Sequence, residues 1–456
     1  MTNKLLSTNP SKNFEKIGEV SVSSEAEIKK KVKLAHEAAL EWKELGVPKR
    51  IEILWGVYRA FEKRKNEISL MITREMGTPI KESSIDWDLD YFKHFLEHGE
   101  EYLKEEITHK DKNSVHKIVF EPIGVVAAIA PWNFPFGNFM WAVIPNLIAG
   151  NTVVFKHSEY CPLTGKLIAE IMNTCKLPKS VFSEIYGDGK VGALLTNADV
   201  DMIWFTGSTA VGTKLYEKAG KKFIRSLMEL GGSNPLIIFE DIDVDKIIEN
   251  VYTKRFMNCG QVCDAAKRLI VHESIFDEVI KKLKAHIETK TVGDAENKNT
   301  DIGPLVSKRQ LDVLKSQVND AHKKGAKIII GGKTPEGLKG AYYMPTILTN
   351  IKFDMRVWKE EVFGPVLPVV SFKTEEEAIK LANDTAYGLG AQIYSNDRER
   401  AKRVASKIDA GCIDINGGNH WSTAANPFGG YKCSGMGREL GKHGLQELCQ
   451  IKVISE

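Results

Sequence analysis

Residues 124–130 read GVVAAIA, a continuous apolar run that a helical stretch follows at once. Short apolar runs of this kind recur downstream as TVVFK (152–156), VFSEIYG (181–187), MIWFTG (202–207), KFIRSLMEL (222–230) and PLIIF (235–239). Between them lie helical patterns, including one from Leu163 to Cys175 and another ending near Gly220. Strands that are apolar on both faces and alternate with helices predict a parallel sheet covered on both sides. A second α/β series begins near residue 233, with LIVH, KIIIGG, VLPVVSF, AQIYS and GCIDIN as strands and Phe276, Val279, Ile280, Leu283 and Ile287 marking a helix face. Upstream, Ser24 and Glu27 form a capping box before a helix carrying Ile28, Val32, Ala35, Ala39 and Trp42. SVHKIVFEPI (114–123) and the terminal QIKVISE read as strands that belong to neither series, and such strands commonly make subunit contacts. Two α/β domains are expected, without an internal repeat or a low-complexity linker.

The chain has 456 residues, of which 43% are hydrophobic and 27% charged, the balance of a soluble globular protein. A net charge of +3 is too close to neutral to point to nucleic acid or a membrane surface. The N-terminus has no apolar core of signal-peptide length, and no run reaches the ~18 apolar residues of a membrane span, so a cytoplasmic protein is expected. Seven cysteines, an odd number with no CxxC pair, argue against a disulfide framework. The two in FMNCGQVC (256–263) are four apart, the wrong spacing for a zinc ribbon. On spacing alone they are a nucleophile or buried packing thiols.

Several motifs have both a chemical and an ordinary reading. GDGKVG (187–192) is a literal G-x-G-x-x-G, yet the expected acidic partner falls in a second glycine-rich turn, FTGSTAVG (205–212). Either turn could hold a pyrophosphate on backbone N–H groups; the second is favoured, with Ser208 adding a hydroxyl, and the first reads as an ordinary turn. His94, Glu97 and His98 match H-x-x-E-H, but no third ligand is apparent and a polar helix surface is the better reading; no metal is expected. APWNFPF (130–136) puts Asn133 beyond the first apolar strand, where open α/β sheets bind ligands and where an amide could donate to an oxyanion. Glu229 stands at another strand end, before paired glycines, as a base or a solvated carboxylate.

Taken in order, these motifs resemble the aldehyde dehydrogenase superfamily over essentially the whole chain. PWNFP (131–135), FTGSTAVG (205–212), ELGG (229–232), NCGQVC (258–263), EEVFGPV (360–366) and PFGGYKCSGMGREL (427–440) carry the resemblance. It implies an α/β fold with a Rossmann-type cofactor domain (1–103 and 125–230), an α/β catalytic domain (231–425) and a small β oligomerisation unit (104–124 and 440–456). It further implies a homodimer or homotetramer. The implied reaction is NAD(P)+-dependent oxidation of an aldehyde to a carboxylic acid. Cys263 is then the nucleophile, Glu229 the general base and Asn133 an oxyanion donor, while Cys259 falls at a variable position and reads as packing. Trp132, Lys156, Glu159, Gly207, Ser208 and Gly212 match cofactor positions on the adenosine and pyrophosphate side. Glu361 and Phe363 match those at the nicotinamide ribose and ring. His157 departs from the pattern, standing where a proline is usual, which puts the loop after Lys156 in doubt. A glutamate at position 159 implies NAD+, with NADP+ possible.

Trp141, Met257, Asp264, Trp421, Thr423 and Phe428 fall in the substrate pocket on the same resemblance. Trp141 and Met257 stand where succinic-semialdehyde members commonly carry arginines, so a neutral aliphatic or amino aldehyde is expected. An Asp264 facing the pocket would repel a carboxylate; engaged in a local network, it would not. Were the stretch helical, Arg255 would lie nearly opposite Met257, whereas Lys254 would lie only ~60° from it and could serve as a cation. The alternatives are a succinate-semialdehyde dehydrogenase, a CoA-acylating relative, which typically lacks the glutamate matching Glu229, and a non-catalytic structural relative.

Overall fold

A computed structural model describes residues 4–456. Half of the capping box forms: Ser24 Oγ accepts the Glu27 N–H at 3.1 Å and starts the helix Glu25–Glu44, while the Glu27 carboxylate turns to Lys31 instead. That helix buries Ile28, Val32 and Ala35 against the first sheet, and Trp42 enters the neighbouring helical core, where its Nε1 donates to Leu147 O at 3.0 Å.

GVVAAIA supplies the strand Val125–Ile129, all five residues of which are buried. It pairs in parallel with Thr152–Lys156 on one side and Met202–Thr206 on the other. Phe182–Ile185 and Arg225–Glu229 complete a five-stranded parallel arrangement of order 3-2-1-4-5, and the short strand Gly435–Met436 adds an antiparallel edge beyond Arg225–Glu229. This is the doubly wound order, in which connections diverge between the first and fourth strands and open a crevice beyond their carboxyl ends. Both PWNFP and FTGSTAVG leave the sheet at that crevice.

The second series forms a seven-stranded sheet ordered Lys327–Ile330, Thr346–Thr349, Val366–Phe372, Ala266–His272, Asn234–Ile238, Gly390–Tyr394 and Cys412–Ile415. Only Lys327–Ile330 runs antiparallel to its neighbour. The NCGQVC loop enters this sheet immediately before Ala266–His272. The two orphan strands pair with each other, Cys449–Ser455 against Val115–Pro122, and Glu106–Lys110 extends them to a three-stranded antiparallel sheet. Among the described residues no helix is long and apolar enough to cross a membrane.

Candidate active site

Strand ends of the first sheet and the loop entering the second meet in one place. The loop is conformationally unusual: Asn258, Cys259 and Gly260 all have left-handed backbone, with φ of 49°, 57° and 69°. Two consecutive non-glycine residues in this region are strained and need surrounding contacts to hold them. Those contacts are present. Asn258 Nδ2 donates to Asn133 O at 3.0 Å, and Thr78 Oγ1 donates to Asn258 Oδ1 at 2.8 Å. Asn258 N donates to Glu82 Oε2 at 2.9 Å, and Gln261 Oε1 accepts the Val306 N–H at 2.9 Å. Asn133 Nδ2 answers by donating to Gln261 O at 3.2 Å. The two asparagines thus clasp the sheets together through the chain on either side of the turn. An amide nitrogen has two hydrogens, so Asn133 keeps one that this bond does not use.

The turn separates the two cysteines. Cys259 is buried in the core of the second sheet, and burial pushes its thiol far up. Cys263 is only partly buried and faces the inter-sheet region beside Asp264, Lys267, Glu361 and Glu229. Burial is the main cause that raises its thiol to about 12; the Lys267 ammonium opposes this, and the three carboxyl groups add to it. Burial thus favours the neutral thiol at Cys263.

Glu229 ends its strand almost wholly buried, with neither carboxyl oxygen bonded to a protein partner. Burial, and then the nearby Glu439, hold its carboxyl well above the ordinary range; Arg438 pulls the other way. Glu439 is buried too, and burial pushes it up to about 8. Two such carboxyls so close cannot both ionise readily, so one retains a proton near neutral pH. Glu439 lies in GREL of a motif quoted above, but nothing in its spacing from Glu229 announces the pairing, which arises because Gly435–Met436 runs back along Arg225–Glu229.

Among the residues expected to hold the cofactor, Ser208 is the N-cap residue of the helix Thr209–Lys222 and makes no cap hydrogen bond with its hydroxyl. The hydroxyl and the first N–H groups of that helix are available to an anion. Gly212 lets the helix pack on Leu230, since a Cβ there would overlap that side chain. Gly207 donates its N–H to Glu229 O at 2.9 Å, joining the FTGSTAVG turn to the end of the strand Arg225–Glu229. Lys156 is buried, with Nζ 3.1 Å from His157 O and 3.8 Å from Glu159. Its neighbour His157 fills the place of the usual proline by turning inward: Nδ1 lies 2.6 Å from buried Glu184, and the ring packs on Phe155 and Phe139. The loop is therefore anchored by a buried polar pair in place of a rigid ring. Trp132 meets Phe363 edge-on at 5.5 Å. Glu361 accepts the Gly232 N–H at 3.1 Å and the Lys267 ammonium at 3.0 Å. GDGKVG, by contrast, is a helix start: the Asp188 carboxylate accepts the Lys190 N–H and caps Gly189–Asn197.

Three of the residues expected on the substrate side, Trp141, Trp421 and Phe428, form an aromatic wall. Trp141, from the helix Pro135–Ala149, stacks on Trp421 at 5.4 Å, and Phe428 lies 4.4 Å from Trp421. Trp87 and Tyr91, which the sequence reading missed, donate to the Trp421 carbonyl at 3.2 and 2.6 Å and so fix its position. Asp264 is engaged in a local network: Asn234 Nδ2 donates to it at 2.7 Å and Trp421 Nε1 at 3.1 Å, with His420 Nε2 at 3.4 Å. His420 also sits between Asp264 and Asp414, and although burial opposes its charge these two carboxylates raise it to about 9. Thr423 is exposed and accepts the Ala425 N–H.

The helical projection for Met257 fails because the helix Val244–Phe256 ends one residue earlier and Met257 leaves it with ψ of 141°. Lys254 is held by Asp414 at 3.2 Å, and Arg255 is buried, donating to the carbonyls of Val366, Val362 and Gly364. Neither supplies a free cation. His94, Glu97 and His98 lie on the helix Asp86–Tyr102, where His94 pairs with the Tyr102 hydroxyl at 2.9 Å. Among the described residues no group of three or more metal-ligating side chains forms.

A doubly wound sheet whose crevice meets a thiol and a pair of buried carboxyls defines a dinucleotide-type enzyme fold with an apparatus for nucleophilic catalysis. A sequence profile of the aldehyde dehydrogenase family matches residues 2–454, and the chain belongs to that family. It is 37% identical to the peroxisomal aminoaldehyde dehydrogenase 1 of Pisum sativum, over 96% of this chain and 90% of that one. It is 36% identical to the mitochondrial succinate-semialdehyde dehydrogenase of Arabidopsis thaliana, over 99% and 86% of the two chains. A crystal structure of a betaine aldehyde dehydrogenase point mutant from Staphylococcus aureus, in complex with NAD+, superposes with a TM-score of 0.95 at 33% identity, covering 100% of this chain and 94% of that one.

Proposed function

We propose that the protein oxidises a neutral aliphatic or amine-bearing aldehyde to its carboxylic acid, with NAD+ as the preferred acceptor. The observation that carries the substrate class is the aromatic wall of Trp141, Trp421 and Phe428, beside which the nearest cations are already paired. Asp264, Asp414, His420 and Lys254 make a charge-compensated cluster, with no surplus positive charge for a substrate carboxylate. The relatives include both aminoaldehyde and succinate-semialdehyde enzymes at nearly equal identity, so similarity alone does not choose between them.

The unengaged Ser208 hydroxyl, the helix start at Thr209 and buried Lys156 fit a pyrophosphate-bearing cofactor. Glu159 would meet the adenosine ribose, and its carboxylate would oppose a 2′-phosphate. Glu361 and Phe363 would hold the nicotinamide end. The bound dinucleotide supplies the hydride acceptor.

An aldehyde has no leaving group, so hydride cannot depart until a nucleophile has added. Cys263 releases its thiol proton to solvent and, as the thiolate, adds to the carbonyl carbon through Sγ, giving a tetrahedral oxyanion. Asn133 donates its remaining N–H to that oxygen. After oxidation the substrate is a thioester on Cys263, and Glu229 accepts a proton from the water that attacks it. The carboxylic acid leaves and the thiol is restored.

The three-stranded sheet exposes Ile107, Ile451 and Val453, and it is proposed as a contact surface for a second copy of the chain in a homodimer or homotetramer. The functional test compares kcat/KM for butanal, 4-aminobutanal and succinic semialdehyde at one pH, each with NAD+ and NADP+. Butanal or 4-aminobutanal with NAD+ should lead. A tenfold lead for succinic semialdehyde overturns the substrate class, and a higher value with NADP+ overturns the cofactor preference.

A further inference from the structure

Lys267 is a fully buried lysine in the strand Ala266–His272, four residues beyond the nucleophile. Its ammonium donates to the Cys263 backbone carbonyl, lies 3.0 Å from Glu361 Oε1 and stands 5.6 Å from the centre of the Phe363 ring. Burying a lone ammonium is costly unless it is paired and hydrogen-bonded. Here its partners come from both halves of the site: the carbonyl belongs to the nucleophile, the carboxylate and ring to the loop that carries EEVFGPV. The paired glycines make this approach possible. A Cβ on Gly232 would overlap the Cys263 carbonyl, and one on Gly231 would overlap the Glu361 carboxylate.

The charged neighbours of the Cys263 thiol are Asp264, Lys267, Glu361 and Glu229. Lys267 is the one cation among them. Asp264 is already bonded to Asn234 and Trp421, and Glu361 is bonded to Lys267 itself. Without the lysine, a forming thiolate would face only carboxyl groups in a low-dielectric setting.

We propose that Lys267 is a positioning residue for the reaction, which locks the Cys263 loop to the Glu361 loop and holds beside the sulfur the positive charge that makes its thiolate attainable. This inference rests on Cys263 being the nucleophile.

The test is the pH dependence of Cys263 alkylation by iodoacetamide in the cofactor-free protein, followed at that residue by peptide mapping, alongside turnover. Lys267→Met should move the midpoint of the alkylation profile up by a unit or more. Well below the midpoint this means a rate about tenfold lower, because one unit changes the thiolate fraction tenfold. Lys267→Arg, which keeps the charge, should recover most of the wild-type profile. Lys267→Gln retains a donor to the carbonyl and loses only the charge; it should shift as Lys267→Met does, and it carries the comparison if the methionine variant does not fold. A folded Lys267→Met or Lys267→Gln protein with an unmoved alkylation profile overturns the proposal, even if its kcat falls, since a purely structural lysine would lower kcat without moving that profile. If alkylation at Cys263 leaves wild-type turnover intact, the nucleophile assignment itself fails and the inference falls with it.

Discussion

Replacing Glu229 with glutamine separates the two halves of the proposed reaction. The side chain is almost wholly buried, its oxygens have no protein partner, and burial and then the nearby Glu439 raise its carboxyl well above the ordinary range. A glutamine has the same shape and no charge, so the variant removes a like-charge conflict without opening a cavity. Its melting temperature should equal or exceed that of the wild type. Formation of the thioester does not call on Glu229, whereas hydrolysis does. Losing a positioned base slows the dependent step by roughly 10²–10⁴-fold, or about 3–5 kcal/mol of barrier. Rapid mixing with aldehyde and NAD+ should therefore give a burst of reduced cofactor of about one equivalent per subunit, then a steady rate lower by that factor. Disappearance of the burst together with turnover would refute the division of labour, because Glu229 would then act on the thiol before hydride leaves. A clear drop in melting temperature would refute the account of the buried carboxyl pair.

Two further outcomes follow from the same geometry. Cys263→Ala should abolish turnover while Cys259→Ala retains most of it and loses on the order of 1 kcal/mol of stability from the second core; comparable loss of activity in both folded variants would indicate a paired-thiol mechanism. Glu439→Gln should shift the rising limb of the kcat–pH profile to lower pH: the base works ionised, an ionised Glu439 opposes that ionisation, and a neutral amide does not. A limb that stays in place or moves to higher pH would show that the two carboxyls do not share a proton.

The apolar runs around GVVAAIA, alternating with helices, were sufficient for an α/β fold with a parallel sheet, because a strand buried on both faces must be apolar at every position. Local chemistry was equally legible: the Ser24 cap and the two orphan strands outside both series stand in the structure as read. These features depend on residues close together in the chain or on a repeat along it. Tertiary structure alone decided the rest. The Glu229–Glu439 pair, the Lys267 link from Cys263 to Glu361, and the anchoring of Trp421 by Trp87 and Tyr91 join residues far apart in sequence, and no periodicity records which strand end will meet which loop. The same holds for Asp264, Lys254 and Arg255. Whether such a charge faces a substrate or is spent on a neighbour depends on who that neighbour is, and here Asn234, Asp414 and the carbonyls of Val362 and Val366 reach them first. Met257 shows the limit most plainly: a helical projection from Lys254 presumed a continuing helix, and the strained turn at Asn258 and Cys259, held by contacts from the other sheet, ends it at Phe256.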